Sequence, residues 1–418
     1  MSLDQTSITE LILSAKAKAY EEIGPVDVSP PPAEVAWPVN CDVKPGLEGA
    51  VAAGSDIGFV DGARGALVYR GFDIFDLCAH SNFEETSYLL IHGELPTAAQ
   101  LKDFSDKIRS KMAILEPTQK MLEALPVDKL HPMKLLEVAM IGAHAEDSNQ
   151  NGSDEIDEME ASYRVIAQML TATGMIARMR KGQAPVQPDP ELSHAANLLY
   201  TMTGEKPSPE ATRLMDIALI LHADHGMNAS TFTSMVVTST LSDLYFAMSA
   251  GLGSLKGPLH GGANEAVLYD LEEIGSADNV DAWFENARKT KRKVMGMGHR
   301  VYKAYDPRAR VLRPLAEEFT QDHPEVNALF KTALKLEDVA VKAMGAEKKI
   351  FPNVDFYSGL LYRAMGIETL MFTPLFAVSR VSGWVARCLE YKQNNRIFRP
   401  RGIYTGKIDQ EYTPIEKR

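Results

Sequence analysis

Several common protein classes are excluded by what this sequence lacks. Its three cysteines, Cys41, Cys78 and Cys388, are odd in number and far apart. They supply neither a disulfide framework nor a metal motif, which suits a reducing compartment. No apolar run reaches the roughly 20 residues needed to cross a bilayer. Asp4 and Glu10 fall where a secretory signal needs a charged start and an apolar stretch, and the first arginine is Arg64, so no Arg-rich transit peptide is expected either. The cytoplasm is the expected location. Net positive charge is missing too: −12 overall argues against nucleic acid and against an anionic membrane surface as partners. There is no internal repeat and no βαβ alternation, so a Rossmann or barrel fold is not expected. What remains is a globular composition, 45% hydrophobic and 24% charged over 418 residues, enough for more than one domain's core.

The charge is unevenly spread. Between Arg288 and Arg313 ten Lys or Arg face one acid, Asp306, a local +9 that leaves −21 for the rest. Such a segment in an acidic chain suggests one polyanionic ligand, a phosphorylated cofactor or a di- or tricarboxylate. Arg288 to Lys293 alone reads as a solvated basic helix, whereas Arg300, Lys303, Arg308 and Arg310 stand among Gly, His, Tyr and Pro.

Along the chain, Ser7 to Glu22 is expected to be helical, with Ser7 and Glu10 at capping-box spacing and Ile8, Leu11, Ile12 and Ala15 on one face. It reads as an appendage or an oligomer contact. Pro25, Pro30, Pro31, Pro32 and Pro38 then make Gly24 to Pro45 a linker or surface strap. Ile57 to Tyr69 resembles a hairpin turning at Asp61-Gly62. Nearly everything later is helical: Phe83 to His92 stops at Gly93, and a further helix starts at Leu101. The acidic tract Glu146 to Glu160 is expected as an exposed loop, and Gly182 to Pro190 as a connector. Ala211 to Leu255 and Gly366 to Tyr391 are apolar on most helical faces and read as buried helices, the first also as a subunit interface.

Four polar, glycine-bearing runs interrupt this helical background: LHADHGMN (221–228), GPLHGGANE (257–265), MGMGHRVYKAYDPRAR (295–310) and FPNVDFYSG (351–359). Glycine beside histidine lets backbone approach a ligand while the ring supplies a donor or base. His222, Asp224 and His225 could form a metal site for a hydrolase, but no general-base Glu or third ligand is in place. His225, beside Gly226 and Asn228, is the better substrate-facing candidate. His260 precedes a helix expected near Asn264, where the N-terminal field favours the neutral ring. Gly296-Met297-Gly298-His299 lacks the third glycine of a dinucleotide fingerprint, leaving a loop of N–H groups with His299, Lys303 and Arg308 suited to phosphate or carboxylate. Asp355, bounded by Val354, Phe356 and Tyr357, is expected to be desolvated and more basic than usual. Capped turns with satisfied side chains are the plain alternatives for His260 and Asp355.

Together the four runs, with FAVSR (376–380), RPRGIYTG (399–406), FVDGARGALVYRG (59–71) and IHGELPT (91–97), resemble the citrate synthase family in order and spacing from about Pro45 to Gly406. The resemblance implies an all-α, two-domain fold with a small N-terminal β-hairpin. It places an N-terminal extension at 1–45, a large domain at 46–262 and 366–418, and a small closing domain at 263–365. It implies condensation of acetyl-coenzyme A with oxaloacetate, the first step of the tricarboxylic acid cycle, with the coenzyme A thioester as co-substrate and no permanent cofactor or metal. Asp355 would be the base, His260 the donor to the thioester oxygen and His299 the donor to the ketone. His225, Arg308 and Arg380 would hold oxaloacetate, joined by Arg399 across the interface of a homodimer or larger homo-oligomer. Gly296, Gly298, Lys303 and Asn353 would contact coenzyme A. A 2-methylcitrate synthase using propionyl-coenzyme A is the near alternative.

Overall fold

Capping residues and helix-period apolar faces recur along the chain, and the fold follows from them. The structure, a computed structural model, describes residues 3–24, 45–151, 157–400 and 413–418. Among these residues are seventeen α-helices and one three-stranded antiparallel sheet, the all-α architecture expected. The linker expected before Pro45, Cys41 and most of RPRGIYTG lie outside the described residues.

Helix α1 spans Gln5–Ile23 and is capped by Asp4, whose side chain accepts from the Ser7 N–H, so the cap precedes the expected Ser7 by three residues. Strands β1 (Gly58–Asp61) and β2 (Ala66–Tyr69) pair from Gly58 opposite Tyr69 to Asp61 opposite Ala66. Their turn takes four residues rather than pivoting at Asp61-Gly62, and β3 (Phe72–Asp73) extends the hairpin to a sheet. Asp73, Asn82 and Thr97 cap α2 (Ile74–His80), α3 (Phe83–His92) and α4 (Ala98–Ser110). α3 stops at Gly93 as expected; α4 begins before Leu101 because Thr97 and Gln100 close a capping box.

After α5 (Glu116–Glu123), α6 (Pro132–Asn151) and α7 (Glu158–Arg180) take up most of the acidic tract expected as a loop. Asp157, Glu158 and Glu160 cap and charge the first turn of α7, where acids favour a helix rather than exclude one. The Gly182 to Pro190 connector is irregular, as expected. Ser193, Ser208, Asn228 and Asp243 then cap α8 (His194–Thr203), α9 (Pro209–His222), α10 (Ala229–Ser239) and α11 (Leu244–Leu255). Helices α12 (Ala263–Ile274), α13 (Val280–Thr290), α14 (Pro307–Phe319), α15 (Pro324–Lys348) and α16 (Asp355–Ala364) form a second packed group. α17 (Phe372–Gln393) returns to pack on α7, α9, α10 and α11.

The longest stretches buried on every face are in α7, from Ala161 to Ala177, and α17, from Phe372 to Cys388, and they serve as axes of the core. Gly383 allows α17 to touch the end of α9: a Cβ there would stand 2.2 Å from the Ala223 carbonyl oxygen. The loop carrying His225 therefore rests directly on α17.

α1 is no appendage. Ile8 and Ile12 are buried, and the helix lies across both α2 and α14. Lys16 pairs with Asp76 at 2.6 Å, the Tyr20 hydroxyl donates to Asp73 at 2.7 Å, and Glu22 pairs with Arg310. The basic segment also reads differently in three dimensions. Arg288 meets Glu285, Arg292 meets Asp270 and Glu273, Arg300 meets Glu48, and Arg313 meets Glu337. Much of the local +9 is thus answered within the chain by acids remote in sequence. Cys78 and Cys388 are free and buried, and no described helix is long and apolar enough to cross a membrane.

Candidate active site

The loop between α9 and α10 carries His225 between two fixed points. Asp224, fully buried, accepts from Arg387 of α17 at 3.1 and 2.7 Å. The Tyr69 hydroxyl donates to the Asp224 carbonyl at 2.8 Å and accepts its N–H at 3.1 Å. His222 Nδ1 is spent on the Ala218 carbonyl at 2.7 Å. A metal-dependent hydrolase built on His222, Asp224 and His225 therefore finds no support, and the described residues contain no cluster of three candidate metal ligands. His225 stands free of that arrangement: its Nε2 is 3.1 Å from the Tyr302 hydroxyl and its ring 5.1 Å from that of His299.

Hydrogen bonding assigns the proton on the other two rings. His260 Nε2 accepts the Ser230 N–H at 3.3 Å and lies 2.8 Å from Ser230 Oγ, which puts the ring proton on Nδ1. Trp384 of α17 donates to the same Ser230 Oγ at 3.2 Å, holding it in place. His299 Nδ1 accepts the Val301 and Tyr302 N–H groups at 3.0 and 3.1 Å, which puts its proton on Nε2. Burial, then the charge of Arg380, pushes His260 down to about 4; burial, then Arg308, does the same to His299. Both rings are neutral single donors near pH 7. The expected neutrality of His260 thus has burial as its main cause, not the helix N-terminus.

Arg308 and Arg380 are almost fully buried. Asp306, the cap of α14, takes Arg308 Nε at 3.0 Å and Nη2 at 2.7 Å. Burial raises the Asp306 carboxyl, but the charge and hydrogen bonds of Arg308 outweigh it and hold the group below its usual range. Nη1 of Arg308 makes no hydrogen bond among the described residues. Arg380 gives only Nε, to the His222 carbonyl at 2.6 Å. Lacking a partner carboxylate, it is pushed down to about 10, first by burial. Its guanidinium lies 4.7 Å over the Phe376 ring, which also touches His222 and His260.

Asp355 opens α16, and its Oδ1 is sealed from solvent with no partner among the described residues. Burial pushes it up to about 7 against the opposing pull of Arg308 and Arg380, as its apolar sequence neighbours led one to expect. An unpaired carboxylate of that basicity can take a proton near neutrality.

The glycine loop is zipped to the segment before Asp355. Gly296 (φ 72°) accepts the Asn353 N–H at 2.9 Å, and Gly298 donates to the Phe351 carbonyl at 2.7 Å. A Cβ on Gly296 would stand 2.7 Å from Val267 and 2.9 Å from Phe356, so the close contact requires glycine. The Asn353 side chain donates to Gly298 O at 2.9 Å and accepts from the Asp355 N–H at 3.0 Å; it is a clamp on this loop rather than a free ligand group. Lys303 is exposed, near enough to act on His299.

The structure thus gathers His225, His260, His299, Arg308, Arg380 and Asp355: burial holds His225 well below its usual value, and Arg308, His299, Arg380 and His260 all add to that. Arg399 does not join them within the chain; it is exposed and donates to Pro400 O at 3.0 Å. Sequence reasoning missed Ser230, Tyr302 and Asp306. Asp306 carried a signal, since an acid directly before Pro307 is a helix cap; Ser230 and Tyr302 matter only through contacts remote in sequence.

Comparison with known proteins identifies the family. The family description "Citrate synthase, C-terminal domain" matches residues 46–401. The citrate synthase of Deinococcus radiodurans is 44% identical over 382 residues, 90% of this chain and 99% of that one. The crystal structure of citrate synthase from Thermotoga maritima is 41% identical with a TM-score of 0.79, covering 90% of this chain and 99% of that one. The Thermoplasma acidophilum citrate synthase, solved as a ternary complex with carboxymethyl coenzyme A and oxaloacetate, is 34% identical with a TM-score of 0.85 over 89% and 98% of the two chains. With the motifs, the helical fold and these matches in agreement, the chain belongs to the citrate synthase family.

Proposed function

We propose that this chain condenses acetyl-coenzyme A with oxaloacetate and hydrolyses the citryl thioester to citrate and coenzyme A. The observation that carries the reading is one cluster of two buried guanidinium groups having unused N–H edges, two neutral imidazoles and one unpaired, basic carboxylate. Asp355 takes a methyl proton from acetyl-coenzyme A while His260 Nδ1–H donates to the thioester oxygen. The resulting enolate attacks the ketone carbon of oxaloacetate, whose oxygen receives His299 Nε2–H. Each such donor contributes roughly 3–4 kcal/mol as charge develops. Water then cleaves the thioester.

His225, Arg308 and Arg380 hold the dicarboxylate, for which planar guanidinium forks are better suited than lysine. The oxaloacetate and carboxymethyl coenzyme A in the Thermoplasma acidophilum complex support this choice of ligands. The thioester is a co-substrate, lying over the Gly296 to Gly298 loop with a phosphate near Lys303. We assign α12 to α16, within 263–365, to a small domain that closes over the substrates and excludes water. Exposed Phe246 and Ile141 on α11 and α6 support a homodimer in which Arg399 enters the site of the second copy. A cytoplasmic place at the start of the tricarboxylic acid cycle fits the bacterial relatives.

The test is release of free thiol with oxaloacetate and either acetyl- or propionyl-coenzyme A. The expected result is a higher kcat/KM for acetyl-coenzyme A; one methylene is worth about 1–3 kcal/mol in such a pocket. A preference for propionyl-coenzyme A makes the chain a 2-methylcitrate synthase, and no thiol release with either overturns the reading. Mixing Arg399→Ala with Asp355→Asn tests the shared site: hybrids regain activity if Arg399 crosses, and verified mixed dimers without activity remove that claim.

A further inference from the structure

Behind the site, a carboxylate outside the four motifs joins the two helices that present Arg308 and Asp355. Glu337 of α15 accepts the Tyr305 hydroxyl through Oε1 at 2.6 Å and the Tyr357 hydroxyl through Oε2. Arg313 Nε of α14 lies 3.1 Å from the same Oε2. Tyr305 immediately precedes Asp306, the cap of α14 that holds Arg308. Tyr357 follows Asp355 by two residues on α16 and is fully buried. Two residues along a helix is about 200° of rotation, so Glu337 grips α16 from the side opposite the Asp355 carboxylate.

We propose that Glu337 is a positioning residue for the condensation: holding Tyr357 and Tyr305 on one carboxylate, it fixes how far α16 advances Asp355 toward a substrate bound at Arg308. The proposal rests on the reading of Asp355 as the base. The two tyrosines have unequal duties. Arg308 is already locked by its two bonds to Asp306, so loosening Tyr305 disturbs substrate binding only at second hand. On α16 the Asp306 carboxylate reaches only the Val354 N–H at the helix start, at 3.2 Å, and Tyr357 supplies the hold on the far side. Burial, with Glu337 adding to it, holds both phenols well above their ordinary range, so they remain protonated donors to the carboxylate.

Tyr357→Phe, Tyr305→Phe and Glu337→Gln separate these duties. For each, kcat, the oxaloacetate KM and solvent exchange of the thioester methyl protons with a non-condensing keto-acid analogue are measured, with Asp355→Asn alongside. Because small displacements of a catalytic group cost about 10- to 100-fold, Tyr357→Phe should lower exchange and kcat about tenfold while the oxaloacetate KM stays within about twofold. Tyr305→Phe should act mainly on that KM, and Glu337→Gln, which keeps one acceptor oxygen, should fall between Tyr357→Phe and the parent. A folded Tyr357→Phe enzyme whose exchange and kcat match the parent's overturns the proposal, even if its Tm has dropped. If Asp355→Asn abolishes exchange while the tyrosine variants leave it unmoved, only the positioning claim fails; if exchange survives in Asp355→Asn, the assignment of the base fails first.

Discussion

Two buried arginine–aspartate pairs stand beside the site residues, and they are finished differently. Arg387 meets Asp224 through Nε and Nη2, gives Nη1 to Ser55 Oγ at 2.7 Å and also reaches the Gly58 carbonyl. All three of its nitrogens are used. Among the described residues, Arg308 meets Asp306 with the same two-bond geometry but keeps Nη1 unspent, and Arg380 has no carboxylate within pairing distance. Burial of a guanidinium is therefore a poor guide to function by itself. What separates a ligand site from a brace is the number of N–H groups the protein leaves unanswered, since each is costly to bury without a partner.

The largest test of this contrast falls on the open side. Asp355→Asn should lower turnover by about 10³- to 10⁴-fold, near the upper range for loss of a general base, while calorimetry shows oxaloacetate binding retained. Near-normal turnover would remove Asp355 from the chemistry. Next, Arg380→Lys should reduce kcat/KM for oxaloacetate about 100-fold, because an ammonium cannot reproduce a fork of donors. Arg387→Met should do the reverse. It leaves Asp224 buried and unpaired, at roughly 3–5 kcal/mol, so chemical denaturation should show lower stability while kcat/KM per folded enzyme falls far less than in Arg380→Lys. Equal losses of activity from both variants would collapse the distinction.

The pH dependence sharpens the comparison further. Because burial pushes Asp355 up to about 7 from its ordinary 3.8, kcat/KM should fall about tenfold per pH unit below 7. The same shift affects stability with the opposite sign: the neutral carboxyl favours the fold below pH 3.8, and that contribution is lost as pH rises through 7. A profile flat from pH 5 to 8 would contradict the raised value. The smallest effect is expected from Ser230→Ala, which removes the hydroxyl beside His260 Nε2 but keeps the backbone donor; kcat should fall about tenfold or less.

Much of this was legible in the sequence because the ligand-facing residues sit in short runs whose composition breaks the helical pattern. His225, His260, His299, Arg308, Arg380 and Asp355 all fell within such runs or the FAVSR segment. Their supports were not legible. Asp224 looked like a metal ligand until Arg387, distant in sequence, was seen to occupy it. Asn353, expected as a cofactor contact, also turns both ends of its amide to the Gly298 and Asp355 backbone. Of the basic stretch from Arg288, only part is left for a polyanion: Glu22, Glu48, Asp270, Glu273 and Glu337, all outside any local window, pair with Arg310, Arg300, Arg292 and Arg313, while Lys303 and one edge of Arg308 are not answered by them. Residues 152–156 of the acidic tract lie outside the described residues; at its end Asp157, Glu158 and Glu160 form a helix start, because acids are favourable there. Periodicity finds elements and composition finds sites, but pairing across the fold decides which charges are available.

Helix α1 has one more consequence. The family match begins at residue 46, so this helix lies outside it, yet one of its faces rests on α2 beside the sheet and on α14, the helix that carries Arg308. It spans the two packed groups like a splint across a joint. Any displacement of α14 relative to α2 would have to carry α1 along or break its bonds at Lys16, Tyr20 or Glu22.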